Sequence, residues 1–231
     1  DICLDSKDNP QLIFESLNSC GKDLEEADKV RNYLLMSLTA QEQEQYYHAY
    51  WGKIEKLTDG EPTMFIRDYL TIKRGVISNI EDMYFDFKSY DEEARIERRT
   101  LLEDMLKHAQ YYRQIVKGET GNARIDRKLK QISYIGTTVH LPFLLSFFDY
   151  AVECGLSDDE KYSVLDVVEN YWARRIICNY PANAMQKMFA ILHTDILKIF
   201  KRHEQRQVEL SLPYSQILKY MLLRKQGTSA F

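Results

Sequence analysis

The chain has 231 residues, 45% of them apolar, and sets 31 lysines and arginines against 35 aspartates and glutamates for a formal net charge of -4. Such a chain can bury the core of one large or two small domains, and its near balance of charge excludes a surface that is basic throughout, though not a local basic patch. Cys3, Cys20, Cys154 and Cys178 show neither C-x-x-C spacing nor histidines at zinc-finger spacing, which points to reduced thiols in a cytoplasmic setting rather than to a disulfide framework or a zinc site.

Glycine and proline are scarce, at 9 and 5 residues, and apolar residues return every three or four positions along stretches rich in Leu, Glu, Lys, Gln and Met. The expected fold is therefore all-α, an irregular multi-helix bundle of about ten helices. The polar opening DICLDSKD has no initiator methionine and no secretion-signal pattern, and suggests an internal segment of a longer protein. From Leu24 the spacing predicts a helix over 24–38, with Asp23 as N-cap and Glu26 reaching back to it. Leu24, Ala27, Arg31, Leu34, Leu35 and Leu38 line one face of it, while Glu25, Asp28, Lys29 and Asn32 lie opposite.

Further helices are expected over 41–57, 63–73, 79–89 and 91–117, the first two separated by the turn Asp59-Gly60-Glu61-Pro62. Tyr47, Tyr50 and Trp51 share a face of the first and read as core. The Gly-rich break GETGN at 118–122 precedes helices over 123–135 and 138–154. The apolar stretch from Tyr134 to Val152 contains His140, Pro142 and Asp149 and reads as a buried helix rather than a membrane span. Ser157 followed by Asp158, Asp159 and Glu160 caps a helix over 158–178, Pro181 stops it, and helices over 183–203 and 213–225 complete the chain.

Chemistry-bearing patterns are sparse. His48, His108, His140, His193 and His203 form no H-x-x-x-H or H-x-H pair, so no metal site is expected. The turn NSCGKDL places Gly21 and Lys22 before a helix N-terminus, where backbone N–H groups and the lysine would suit a phosphate, although such turns are common structural devices. Arg113, Lys117, Arg124, Arg127, Lys128 and Lys130 form one basic cluster, and Lys198, Lys201, Arg202 and Arg206 another. Either is a solvated face or a set of phosphate contacts, with Arg124, Arg127, Lys128 and Lys130 the candidates for DNA. Arg174 and Arg175 lie between apolar residues and are read first as buried-edge salt bridges, second as a functional pair.

The stretch IFESLNSCGKDLEEADKVRNYLL carries Phe14, Glu15, Leu17, Asn18, Gly21, Leu24, Asp28, Arg31, Asn32 and Leu34. At this spacing they resemble the segment that closes the ParB/sulfiredoxin-like nucleotidase domain of the GmrSD family of modification-dependent (type IV) restriction systems. YWARRIICNYPANAMQKMFAIL and LLRKQGTSAF resemble the family's later helices and the junction to its HNH nuclease. The resemblance implies that residues 1–38 are the end of the nucleotidase domain and 39–231 a helical connector. It implies that Phe14, Asn18, Gly21 and Lys22 are remnants of a nucleotide site and that Asp28, Arg31 and Asn32 orient their loop. The family's [IV]-D-G-Q-Q-R motif and its HNH motif do not occur in this chain, so the resemblance implies no catalysis by the chain alone. For the complete protein it implies a nucleoside triphosphate and a divalent metal as cofactors. The chain's partners would then be its own nucleotidase and nuclease domains, with DNA. The alternative is a stand-alone helical protein- or DNA-binding module whose opening motif only caps and packs a helix.

Overall fold

A computed structural model describes residues 24–36, 38–178, 185–205 and 213–227. Among these the fold is all-α: α1 (Glu26–Met36), α2 (Ala40–Tyr46), a π-helical turn (Tyr47–Trp51) running into α3 (Gly52–Leu57), α4 (Pro62–Arg74), α5 (Met83–Ala94), α6 (Arg98–Lys117), α7 (Ala123–Ser133), α8 (Leu141–Glu153), α9 (Asp158–Ile177), α10 (Met185–Gln205) and α11 (Tyr214–Gly227). No helix among the described residues is long and apolar enough to cross a membrane. Pro142 sits in the first turn of α8, where a missing N–H costs nothing, so it marks a helix start instead of interrupting a longer span.

The helices form two compact units. The first contains the described residues up to Leu70 together with Ser78–Ala109, and the second contains Thr71–Ile77 and the described residues from Gln110 onward. Residues 24–36 thus group with the helices that follow them. The reason is visible in α1, which packs on α5. Its buried residues are Ala27, Val30 and Leu34; Val30, absent from the expected face, replaces Arg31, which stays half-exposed.

Polar contacts reinforce that packing. Glu26 turns one oxygen to Lys29 Nζ at 2.7 Å and the other to the backbone N–H of Tyr84, which donates at 2.8 Å. The expected N-cap, Asp23, lies outside the described residues; Glu26 instead caps the first turn of α5, where Asp82 makes no side-chain cap. Tyr33 Oη donates to Asp91 Oδ2 at 2.9 Å, and Arg98 reaches the same oxygen at 3.1 Å while its guanidinium lies 5.3 Å from the Tyr33 ring centre. Burial, then the hydrogen bond to Asp91, pushes the Tyr33 phenol up to about 12.

The break between α5 and α6 falls at residues 95–97, later than the sequence suggests. Arg95 adopts a left-handed conformation (φ 50°) that ends α5. The Glu97 carboxylate then accepts from the N–H groups of Arg99 and Thr100, starting α6.

The second unit is built on a continuous apolar core that includes Phe143, Phe147, Trp172, Phe189 and Tyr214. Phe143 and Phe147, one turn apart on α8, stack at 6.3 Å, and Trp172 of α9 stacks on Phe189 of α10 at 5.7 Å. Tyr214 of α11 packs against Phe147 at 5.2 Å. Aromatic pairs of this kind add roughly 0.5–1.5 kcal/mol each beyond the area they bury. Within this unit α7 and α11 both pack on α9, and α8 packs on α10.

Two positions of the second unit generate predictions. Gly118 has φ +62°, and a Cβ there would lie 2.8 Å from the Asp126 carbonyl oxygen. Gly118→Ala is expected to destabilise the protein by at least about 1 kcal/mol in urea unfolding, from the left-handed backbone alone. His140 is 3% exposed, and its Nδ1 has no hydrogen-bond partner among the described residues. Burial pushes His140 down to about 4, and burial also takes His193 down to about 4 against the opposing pull of Asp149. Between the ordinary histidine value and 4 the unfolded chain binds protons that the folded chain refuses, so stability falls as pH drops through that window. His140→Gln is expected to cut the stability lost between about pH 7 and pH 5 by about 2 kcal/mol, read from urea unfolding at both pH values.

Candidate functional site

Of the residues singled out by the opening motif, Phe14, Asn18, Gly21 and Lys22 lie outside the described residues, as does Cys20. Asp28, Arg31 and Asn32 lie on α1. Asp28 pairs with Arg31 Nη1 at 2.9 Å, and the same nitrogen reaches Glu55 Oε1 of α3 at 3.4 Å. Glu55 gathers two more donors: Trp51 Nε1 donates to Oε1 at 2.7 Å and Tyr47 Oη to Oε2 at 2.9 Å. Asn32 makes no side-chain hydrogen bond among the described residues.

The π-helical turn explains why these groups meet. In a regular α-helix, positions eight apart are rotated about 80° from one another. The wider π turn over Tyr47–Trp51 absorbs that rotation, so Tyr47, Trp51 and Glu55 fall in one line. Trp51 is 1% exposed, so its indole N–H needs the carboxylate. The hydrogen bond to Glu55, and then the carboxylate charge, pushes the Tyr47 phenol up. Tyr47 and Tyr50 are half-exposed instead of core, because the same turn aims their hydroxyls at Glu55 and at Glu103 (3.2 Å). The spacing of Tyr47, Trp51 and Glu55 is readable in the sequence; the arrival of Arg31 from 24 positions away is not.

In the second unit the basic cluster divides. Arg124 pairs with Asp159 at 2.5 Å, and its guanidinium stacks 3.8 Å from the Tyr162 ring centre. Arg113 pairs with Glu119 at 3.0 Å. Lys128 is 6% exposed, held by Asp166 at 2.9 Å and by Glu169. Burial opposes its charge, but the hydrogen bonds to Glu169 and Asp166 outweigh burial and hold the ammonium above the usual lysine range. Lys128 is therefore a buried structural ion pair and offers no free face to a phosphate. Arg127 and Lys130 are exposed and have no ion pair among the described residues.

The arginines of α9 also part company. Arg175 is buried, with its guanidinium 5.7 Å from the Tyr171 ring centre, so an aromatic face does part of what a salt bridge was expected to do. Arg174 is exposed, makes no ion pair among the described residues, and lines a cleft of about 170 Å³ between α9 and α11. Val167, Leu222 and Leu223 supply apolar walls, and Asn170 and Lys219 join Arg174 as polar groups. A shallower hollow of about 320 Å³ continues it past Gln216 and Ser215 to Arg124 and Tyr162, sharing Asp166, Val167 and Lys219. Among the described residues no three His, Cys, Asp or Glu side chains stand close enough to hold a metal ion.

The Glu55 junction carries a direct test. Glu55→Ala leaves the buried Trp51 N–H without its acceptor and is expected to cost about 1–3 kcal/mol in urea unfolding, whereas Glu55→Gln, which keeps an acceptor oxygen, is expected to cost less than half as much. No family model, curated protein or solved structure matches this chain.

Proposed function

We propose that this chain is the helical connector of a nucleotide-dependent restriction protein resembling the GmrSD family, acting on modified DNA in the cytoplasm and non-catalytic by itself. The reading starts from the ten-position motif between Phe14 and Leu34. One observation supports it: the Asp28–Arg31 pair of that motif is tied to Glu55, and through Glu55 to Tyr47 and Trp51. In this reading the anchored helix is what would hold the motif residues Phe14, Asn18, Gly21 and Lys22 to a phosphate. In this reading the nucleoside triphosphate and divalent metal belong to the complete protein, and the exposed Arg127 and Lys130 are the basic residues open to DNA.

A second reading, a helical binding module without catalysis, is favoured by the burial of Ala27, Val30 and Leu34. That burial would suffice as the motif's whole purpose. The two readings part on one variant of the protein that carries this chain with its flanking sequence. Arg31→Ala is expected to lower nucleotide turnover by roughly tenfold to a hundredfold with helix content unchanged, because a loop misplaced by an ångström loses that much. Unchanged turnover alongside a weakened unfolding transition would assign Asp28 and Arg31 to packing alone and favour the module.

A further inference from the structure

The α9–α11 cleft is independent of the opening motif and has a composition suited to a ligand. Its apolar part comes from Val167, Leu222 and Leu223, and its exposed cations are Arg174 and Lys219. Neither cation has an ion pair or a side-chain hydrogen bond among the described residues. Asp166, the one carboxylate among the described lining residues, accepts from Lys128 Nζ at 2.9 Å and from Asn170 Nδ2 at 3.0 Å, and shares that lysine with Glu169. The cleft therefore presents two cations without an ion pair among the described residues, against one carboxylate already engaged by Lys128, beside an apolar wall and with a volume of about 170 Å³. Since liquid water takes about 30 Å³ per molecule, that space holds a handful of waters or one compact organic group.

The α9 backbone explains why both characters meet here. Val164, Leu165, Val168, Tyr171 and Trp172 face the core, which leaves Val167, Asn170 and Arg174 on the adjoining stripe, one turn apart from each other. On α11, Ile217, Leu218 and Leu222 are buried, and Lys219 and Leu223 flank them on the exposed side. Two helices held by their cores thus fix a mixed stripe on each side of one groove.

We propose that this cleft binds a small organic anion, an apolar body bearing one phosphate or carboxylate, with the head on Arg174 and Lys219 and the body against Val167, Leu222 and Leu223. Charge-assisted hydrogen bonds hold the head. Displacement of water from the apolar wall distinguishes such a ligand from a bare inorganic ion.

Titration of the chain with phenyl phosphate and with benzoate, followed by calorimetry and by NMR shifts of residues in α9 and α11, tests this. Saturable binding of either compound is expected, weakening by on the order of tenfold in Arg174→Gln and again in Lys219→Gln. Both substitutions are at exposed positions, and unchanged unfolding transitions establish that the variants fold. Lys198→Gln, which removes an exposed cation of α10 paired with Asp195, is expected to leave the affinity within twofold. Inorganic phosphate is expected to bind at least about tenfold more weakly than phenyl phosphate, as loss of the apolar contact requires. The proposal is overturned if neither organic anion saturates, if Arg174→Gln and Lys219→Gln leave affinity unchanged, or if inorganic phosphate binds as tightly as phenyl phosphate.

Discussion

The second unit depends on the burial of its aromatic side chains. Phe143, Phe147, Trp172, Phe189 and Tyr214 come from four helices, and their stacked and tilted contacts determine how those helices are turned about their axes. Because Trp172 is committed to Phe189, α9 has little rotational freedom. Every other residue on α9 takes its surroundings from that commitment. Asp166 and Glu169 meet Lys128 of α7, Arg175 folds onto Tyr171, and Arg174 emerges beside α11. The cleft and the buried ion pair are thus consequences of the same packing, since a helix rotated by one position, about 100°, would displace both.

The first unit relies more on polar side chains that serve two helices at once. Glu26 begins on α1 and completes the first turn of α5; Asp91 of α5 takes a hydrogen bond from Tyr33 and an ion pair from Arg98; Glu55 collects Arg31, Trp51 and Tyr47. Each of these carboxylates is at least half-shielded, where charge-assisted hydrogen bonds outweigh exposed surface pairs. This also reframes the spacing of Asp28, Arg31 and Asn32 in the opening motif. The first two have structural duties that hold whatever the complete protein binds.

Much of the fold was legible from the sequence because its elements are local. Scarce glycine and proline with a three-to-four residue apolar spacing specify helices, and the capping box at Ser157, where Glu160 Oε2 accepts from the Ser157 N–H at 2.8 Å, follows from the order Ser-Asp-Asp-Glu. The same local rule describes Thr39 and Glu42, whose reciprocal cap starts α2 at Ala40, one residue ahead of the expected start. Where local signals were weak, boundaries moved: Arg95 carries no turn signature, yet its left-handed backbone ends α5. The π turn at Tyr47–Trp51 was likewise invisible, since an apolar and aromatic run fits an α or a π turn equally well.

What the sequence by itself determined, then, is that this protein is helical, roughly where its helices lie, and which charges are numerous. Those properties follow from backbone propensity and from side chains within a few positions of one another. The tertiary structure alone decided which charges are spent. Lys128 and Arg127 are neighbours of the same kind in the sequence, yet one is buried between two carboxylates 38 and 41 positions away and the other faces solvent. Arg174 and Arg175 divide in the same way. The cost of leaving a buried charge unmatched forces partners together across long separations, and only the packing of whole helices determines where those partners stand.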